Sequence, residues 1–372
     1  MKKFALIILF LSLVSCSEHL VEPLVAPTHL NQMNIMLTEE EYLALLNNKL
    51  FDFEANGKLS YKNKVYDIEI EAQGAGSRYY NKWSYHVKLK NGKQLEGLSE
   101  FNLSAQNFDK TMMSTLIASH LYRRAGFPVF ESNYVFVNLN GKSYGLYLLI
   151  EKVDENFFSQ RYLSVYELIK LGFDSKFTFS DEYNTQYYFD KEIPEDNNYN
   201  SLNEFIYALD TARIERIEES LKPYLDVRNY LDYHAMTFII NNIDAFSNNF
   251  FLYRKKPDTP FEIIPWDFDK AFTKNQSIGI FEGNEIIKKL ILNKELKDYY
   301  LRRIEFFLEN YFTEEDLFPI IDDALEKVKD GYSLDPYLGG LGINFSTEIS
   351  ELKNYIKSRK TSLTQIIREN LN

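Results

Sequence analysis

The stretch LDYHAMTFIINNIDAFSNNFFLYRKKPDTPFEIIPWDFDKAF, residues 231–272, is the most informative part of the chain. Its first part has the apolar periodicity of a helix, over about 233–240. Two runs rich in aromatic and β-branched residues, 250–253 and 261–264, are predicted strands, and a polar turn with two prolines separates them. Strands joined this closely form a β-hairpin, so the chain enters and leaves the pair at the same end.

Carboxylate and amide side chains flank the predicted hairpin on both sides. Asp244 and Asn249 lie before its first strand, and Asp267 and Asp269 lie after its second. Because a hairpin brings its ends together, we expect these four side chains to converge. Their oxygen atoms suit Mg²⁺ or Mn²⁺, and such an ion can hold nucleotide phosphates. The alternative is an Asx-rich turn whose side chains cap its own backbone.

The order of these residues is similar to that in protein kinases, where an Asp and an Asn precede a hairpin that ends in a second Asp before Phe. In more detail, the segment resembles the signature of the CotH family of atypical, spore-coat-type kinases. The shared features are Asn-Asn before an aromatic strand and Ile-Pro-Trp-Asp-x-Asp after the hairpin. Three further stretches resemble that family in the same order along the chain: 74–82, 101–110 and 140–152.

The distribution of periodic patterns predicts the fold class. Strand-like alternation dominates 58–90, whereas helical periodicity dominates the chain after residue 202. This distribution is typical of an α+β protein. Together with the resemblance, it predicts a two-lobed, protein-kinase-like fold with a ligand cleft between the lobes. The expected parts are a β-rich N-terminal lobe at 35–165 and a mainly helical C-terminal lobe at 166–372 that carries the hairpin.

The resemblance implies an activity, which is transfer of the ATP γ-phosphate to Ser or Thr of a protein substrate. In that reaction Asp244 orients or deprotonates the acceptor hydroxyl. Asn249 and Asp267 hold Mg²⁺ or Mn²⁺, and Asp269 either supports them or is a further ligand. ATP and the divalent ion are therefore the expected ligands.

The resemblance also implies nucleotide contacts in the first half of the chain. A glycine turn followed by a lysine-bearing strand is how a kinase reaches the phosphates. Either Lys82 or Lys88 is expected to contact phosphate, with Glu151 as the acidic partner of that lysine. The alternatives are surface lysines on an edge strand, and a structural pair of Glu151 with Lys152 or an arginine. The predicted nucleotide-binding residues are Gly74, Ser77, Arg78, Lys82, Lys88 and Glu151.

The N-terminus has the pattern of a bacterial lipoprotein. Two lysines precede an apolar run, and Leu13-Val14-Ser15-Cys16 forms a lipobox. Cys16 is the single cysteine of the chain and has no disulfide partner, which favours lipidation. The expected organisation is a signal peptide at 1–16 and a tether at 17–34. The protein is then anchored to a membrane of the cell envelope outside the cytoplasm, at the outer membrane or cell surface.

The net charge of −12 argues against nucleic acid as the main partner, because phosphate backbones require clustered lysine and arginine. The same charge suits a basic protein substrate.

Two other functions compete with the kinase interpretation. One is a catalytically inactive, kinase-like surface lipoprotein that binds a protein or glycan. It is favoured because Gln73 and Ala75-Gly76 stand where the family has arginine and Asn-Ser. The other is a hydrolase that uses Asp244 and Asp267 as a carboxylate pair.

Overall fold

The computed structural model describes residues 27, 29–74, 76–172, 175–179, 185–246 and 248–371. The predicted signal peptide, with Cys16, and the first part of the predicted tether lie outside the described residues. Within those ranges, no helix combines the length and apolar character needed to cross a membrane.

The first half of the chain forms a closed β-barrel with strand order β1-β2-β3-β4-β5-β7-β6. The barrel closes through a parallel pairing of β1 with β6, whereas its other neighbouring strands are antiparallel. Three helices, α1 (Glu39–Asn47), α2 (Ser114–Arg124) and α3 (Glu155–Gln160), accompany it. The barrel strands are β1 (Asn31–Leu37), β2 (Ala55–Tyr61), β3 (Lys64–Gln73), β4 (Ser84–Leu89), β5 (Glu100–Ser104), β6 (Ser132–Leu139) and β7 (Lys142–Glu151).

Alternation along β4 shows how the sequence builds the barrel. Tyr85, Val87 and Leu89 are buried in the barrel core, while His86 and Lys88 lie on the outer face. The period of two was predicted from sequence and is confirmed. A tight hairpin at Asn140-Gly141 joins β6 and β7, and both residues have positive φ, 47° and 75°, as such a turn requires.

Strand β1 begins earlier than the sequence indicated. Residues 31–34 were assigned to the tether, but Asn31 already pairs with Val135 of β6, and Met33 pairs with Tyr61 of β2. The polar residues of this segment do not resemble a buried strand. Pairing on both sides is what orders it, so the assignment of 31–34 to a tether is wrong.

The second half is mainly helical but contains its own four-stranded sheet, with order β11-β10-β8-β9. The α+β class is therefore confirmed. The sheet consists of β8 (Glu167–Leu171), β9 (Phe189–Ile193), β10 (Phe250–Arg254) and β11 (Glu262–Pro265). The helices are α4 (Asn200–Thr211), α5 (Ile217–Leu221), α6 (Val227–Ile240), α7 (Glu285–Leu290), α8 (Lys294–Asn310), α9 (Glu314–Leu334) and α10 (Phe345–Leu371).

Strand β7 belongs to both hydrophobic cores. Tyr147 and Leu149 face the barrel core, and Leu146, Leu148 and Ile150 face the larger core of the helical part. A strand that is buried on both faces reads as a continuous apolar run, as this one does. The two parts are therefore packed together along β7.

Helix α2 packs with the helical part, although it lies within the range predicted for the first lobe. Its Tyr122 stacks on Tyr233 of α6 at 5.9 Å and on Phe268 at 5.3 Å, measured between ring centroids. The Tyr122 hydroxyl also lies 2.6 Å from the Thr237 hydroxyl. Helix α2 thus connects the barrel to the segment that follows the hairpin.

Candidate functional site

A cleft of about 490 Å³ lies between the outer face of the barrel and the β10–β11 hairpin. Gln73, Ser84 and Asn102, at the ends of or within β3, β4 and β5, form part of its barrel side. The opposite side contains all four residues that flank the hairpin in sequence. The predicted convergence is therefore confirmed for Asp244, Asn249, Asp267 and Asp269.

The backbone at the base of the hairpin explains this convergence. Phe250 pairs with Pro265, and the Trp266 amide donates to the Asn249 carbonyl at 3.1 Å. Asn249 and Asp267 both have left-handed backbone conformations, with φ of 62° and 54°. Asn and Asp adopt this conformation more readily than most side chains. The chain therefore turns sharply at both ends of the hairpin, beside the cleft.

Asp244 is held by two donors. Its Oδ2 accepts hydrogen bonds from Asn249 Nδ2 at 3.0 Å and from Lys270 Nζ at 2.9 Å. The Asp244 side chain is 31% exposed, so the carboxylate still reaches the cleft. This geometry suits a carboxylate that accepts a proton or orients a hydroxyl group.

Asp267 and Asp269 are neighbouring carboxyl groups, and each affects the pKa of the other. Asp267 is reached by solvent through the cleft, yet protein atoms surround it closely. Desolvation, and then the charge of Asp244, raise the pKa of Asp267 above its usual range. Desolvation, and then the charge of Asp267, raise the pKa of Asp269 as well.

The donor set fits a divalent ion that is also bound by phosphate. Among the described residues, no group of three or more His, Cys, Asp or Glu side chains is arranged to hold a metal ion by itself. Magnesium in nucleotide sites typically takes one or two carboxylates and completes its coordination with phosphate oxygens and water. Asp267, Asp269 and the Asn249 amide supply the protein share of such a site.

Two asparagines after α6 fasten the loop that carries Asp244. Asn241 ends the helix in a left-handed conformation, with φ of 51°, and its Nδ2 donates to the carbonyls of Thr273 and Gln276. Asn242 Nδ2 donates to the Asp267 carbonyl at 3.0 Å. No role was predicted for this pair, although consecutive Asn residues at the end of an apolar helix are a recognisable signal.

The glycine turn lies at the cleft, but only part of it faces the cavity. Gly74 and Ser77 line the cleft, as expected of nucleotide-binding residues. Gly74 has a φ of +86°, which favours glycine at this position. Arg78 instead directs its guanidinium to Asp52, at 2.9 Å, and is not a lining residue. The structure therefore does not bring Arg78 together with Gly74 and Ser77 at the cleft.

Neither predicted phosphate-binding lysine reaches the cleft. Lys82 is only 4% exposed, and its Nζ lies 2.7 Å from Asp335 Oδ2 and 2.5 Å from the Leu146 carbonyl. Desolvation lowers the pKa of Lys82, and the charge of Asp335 opposes this effect. Lys88 is 51% exposed and lies 3.7 Å from Glu100 on the outer face of the barrel. The expectation that one of these two lysines contacts phosphate does not fit this geometry. Lys82 is buried in an ion pair with Asp335, and Lys88 lies outside the cleft.

Glu151 is likewise not the partner of either lysine. Its carboxylate accepts from both terminal nitrogens of Arg161, at 2.9 and 2.6 Å, and from the Glu131 amide at 2.9 Å. This is the structural pair with an arginine that was the alternative at this position. The predicted pair of Glu151 with Lys82 or Lys88 therefore does not form, because Glu151 lies buried at the end of β7, beside α3.

Two other lysines line the cleft. Among the described residues, the basic side chains of the cleft wall are Lys170 on β8 and Lys270, which directly follows Asp269. Neither was proposed as a site residue from sequence. The signal for Lys270 is its position directly after Asp269, and Lys170 is brought to the cleft by the pairing of β8 with β10.

Trp266 connects the cleft with the core. Its ring contacts Phe130 at 4.8 Å and Phe251 at 5.6 Å between centroids, and it also lines the cleft. A smaller recess of about 50 Å³ adjoins the cleft here, and Lys152, Val153 and Phe251 line it together with Trp266. This end of the site is therefore narrow and partly aromatic.

Comparison with known proteins places the chain in a family. The family model described as CotH kinase protein matches residues 70–363. Inner spore coat protein H of Bacillus subtilis (strain 168) is 26% identical over 322 residues, which cover 82% of this chain and 88% of that protein.

Among solved structures, the Golgi casein kinase is similar with a TM-score of 0.37 and 10% identity, over 92% of this chain and 74% of that one. Its form with Mn/ADP bound gives a TM-score of 0.36 and 10% identity, over 90% and 73% of the two chains. Scores of this size do not establish a common fold. The family model, in contrast, extends from the end of β3 through the helical part, over more than half of the chain, and the chain belongs to the CotH kinase protein family.

Proposed function

We propose that this chain is an ATP-dependent protein kinase with a two-lobed, kinase-like organisation, which transfers the γ-phosphate to Ser or Thr of a protein substrate. The observation that carries the proposal is the meeting of Asp244, Asn249, Asp267 and Asp269 in one cleft. Membership of the CotH kinase family supports it independently.

In this proposal the two ends of the hairpin have different roles. Asp244, which is open to the cleft, orients the acceptor hydroxyl and receives its proton. Asn249, Asp267 and Asp269 would hold Mg²⁺ or Mn²⁺. When bound, the ion supplies positive charge that neutralises the phosphate oxygens. The hydrogen bond from Asn249 to Asp244 then links the metal-binding end to the acceptor-binding end.

The cleft also has suitable surfaces for the rest of ATP. Gly74 and Ser77 lie along it on the barrel side, where their backbone approaches the phosphates. Trp266, which lines the cleft at its narrow end, offers an aromatic face on which a purine ring stacks. Arg78, Lys82, Lys88 and Glu151 have no part in this arrangement.

The cellular address is part of the proposal. The lipobox that ends in Cys16 supports a lipid anchor in the cell envelope, with the catalytic part outside the cytoplasm. The excess of acidic residues, 54 against 42 lysines and arginines, supports a basic protein substrate.

A second candidate is a kinase-like protein that binds a partner without catalysis. It is favoured by one observation: the lysine and glutamate expected to form the ion pair of an active kinase are both bonded to other residues. The two candidates differ in whether the protein turns over ATP.

The experiment compares the wild type with Asp267→Asn, and uses Asp258→Asn in the exposed turn of the same hairpin as the matched control. Thermal shift with ATP is measured with Mg²⁺, with Mn²⁺ and with chelator, and transfer of labelled γ-phosphate to protamine is followed in parallel. We expect metal-dependent stabilisation and transfer in the wild type and the control, and neither in Asp267→Asn. Metal-dependent binding without transfer would support the second candidate. Absence of binding in a folded wild type would reject the nucleotide site.

A further inference from the structure

The loop between Asp244 and Asn249 provides no positive charge to the proposed site. This segment, Ala-Phe-Ser-Asn, contains no basic residue. Phosphoryl transfer is catalysed mainly by positioned positive groups that act on the transferred phosphoryl oxygens. Because Lys82 and Lys88 lie outside the cleft, such a group has to come from another part of the chain.

Lys270 is the cation that lies nearest to the acceptor-binding carboxylate. Its Nζ lies 2.9 Å from Asp244 Oδ2, and its side chain is 28% exposed toward the cleft. An ammonium group has three N–H donors. The hydrogen bond described for Lys270 uses one of them, on the atom that also accepts from Asn249.

The backbone of Lys270 is fixed by a turn. The Ala271 amide donates to the Phe268 carbonyl at 3.0 Å, and the Thr273 hydroxyl donates to the Lys270 carbonyl at 2.6 Å. The Phe272 amide continues the turn by donating to Ile240 at the end of α6. Lys270 is thus carried by the same rigid connection that holds Asp267 and Asp269.

The ammonium group of Lys270 also contacts the barrel side of the cleft. Its Nζ lies 4.7 Å from the centroid of the Phe108 ring, within the range of a cation–π contact. Phe108 in turn packs edge-on against Tyr80 at 5.5 Å. The ammonium is therefore held between the hairpin connection and a loop of the barrel, directly over the cleft.

Lys170 is the competing cation, but it lies at the other end. It pairs in register with Phe251 on β10 and with Asp190 on β9. Lys170 and Trp266 both line the narrow recess, and Trp266 provides the aromatic face that we assign to the base. Lys170 is therefore suited to the nucleoside end and Lys270 to the end where phosphate is transferred.

We propose that Lys270 is a catalytic residue that bridges Asp244 and the transferred phosphoryl group; this inference rests on the proposed kinase function. One N–H stays on Asp244, and another donates to an oxygen of the γ-phosphate. The acceptor hydroxyl oxygen attacks phosphorus, the bond from phosphorus to the β–γ bridging oxygen breaks, and ADP leaves with that electron pair. The hydroxyl proton passes to Asp244, and Lys270 keeps its protons throughout.

The test uses the full chain with Lys270→Met, which keeps an unbranched side chain of similar length and removes the charge. Lys270→Arg is the conservative variant. Lys274→Met is the matched control, because Lys274 lies four residues further along and pairs with Glu351 on the surface. Melting temperature, binding of ADP and of a non-hydrolysable ATP analogue with Mg²⁺, and transfer to protamine are measured for each protein.

We expect Lys270→Met to lower kcat by roughly 100-fold or more, as for loss of one charge-stabilising donor. Its affinity for the ATP analogue should fall several-fold while its affinity for ADP is unchanged, because ADP lacks the contacted phosphate. Lys270→Arg should recover part of the rate, and Lys274→Met should match the wild type.

The outcomes separate this inference from the proposed function. Wild-type transfer with an equally fast, folded Lys270→Met overturns the role of Lys270 and leaves the kinase function intact. Equal losses of ADP and ATP-analogue affinity also overturn it, since they indicate a general effect on the site. A folded wild type that binds neither nucleotide overturns both.

Discussion

The Lys82 ammonium and the Asp335 carboxylate form a buried ion pair, 2.7 Å apart, between the barrel and the end of α9. The remaining lone pairs of Asp335 accept from the backbone amides of Leu146 and Tyr337, at 2.6 and 2.7 Å. A buried ion pair is tolerated when its other polar atoms are also bonded, as they are here. The pair therefore holds the outer face of β7 to the helical part, away from the cleft.

Removing Lys82 should unfold the protein more readily without changing nucleotide affinity. Lys82→Met leaves the Asp335 charge buried without a cation, and such a change costs about 3–5 kcal/mol. Urea denaturation measures the loss. Lys82→Met combined with Asp335→Asn should be less destabilised than Lys82→Met alone, because no charge is then buried. Unchanged stability together with weaker ATP binding would instead restore the phosphate-binding role predicted from sequence.

Gly145→Ala should be more harmful than the same change at Gly141. Both glycines have positive φ, +86° and +75°, so each alanine carries a backbone cost of about 1–2 kcal/mol. A Cβ on Gly145 would lie 2.2 Å from Asp335 Oδ2, whereas a Cβ on Gly141 meets nothing within 4 Å. The difference between the two free energies of unfolding measures the clash with the ion pair. Equal values would mean that Asp335 moves aside freely.

Glu151→Gln should affect stability and leave the cleft intact. The change weakens charge-assisted hydrogen bonds with Arg161, for which a loss of about 1.5–3 kcal/mol is typical. Urea denaturation and the Mg²⁺-dependent binding of ATP are measured on the same protein. A folded variant that retains its stability but no longer binds ATP would contradict the structural role.

Acidification should destabilise the protein through His234. Burial lowers the pKa of this side chain to about 3, and its ring nitrogens lie 2.9 Å from the Tyr300 hydroxyl and 3.0 Å from the Glu282 carbonyl. The unfolded chain takes up this proton near pH 6.5, so between about pH 3 and 6.5 the unfolded state binds more protons. Stability from this group is therefore complete above pH 6.5 and falls on acidification by up to about 1.4 kcal/mol per pH unit.

The check is denaturation at about pH 7 and about pH 5 for the wild type and His234→Gln, since glutamine does not titrate. The variant is expected to be less stable at the higher pH, because it loses the fit to Tyr300. Between the two pH values, the free energy of unfolding of the variant should fall by less than that of the wild type. Equal losses would show that His234 is not the group responsible.

Local features of the chain were enough to predict the hairpin and the four residues at its ends. Turn chemistry at Asn140-Gly141, alternation along β4 and the pattern of 231–272 depend on neighbours within a few residues. Such local interactions can be predicted from the spacing of residue types. The α+β class can be predicted in the same way, because strand-like alternation dominates part of the first half of the chain and helical periodicity dominates the second half.

Partners that are distant in the chain were not accessible in this way. Lys82 finds Asp335 across 253 positions, and residues 31–34 become a strand only because β2 and β6 lie on either side of them. Lys270 points at Asp244 because a turn anchored on α6 directs it there. Whether a charged side chain faces a cleft or a buried carboxylate depends on desolvation and packing in three dimensions, and spacing along the chain does not record these. The sequence therefore identified the carboxylates of the site, and the folded structure selected the cations beside them.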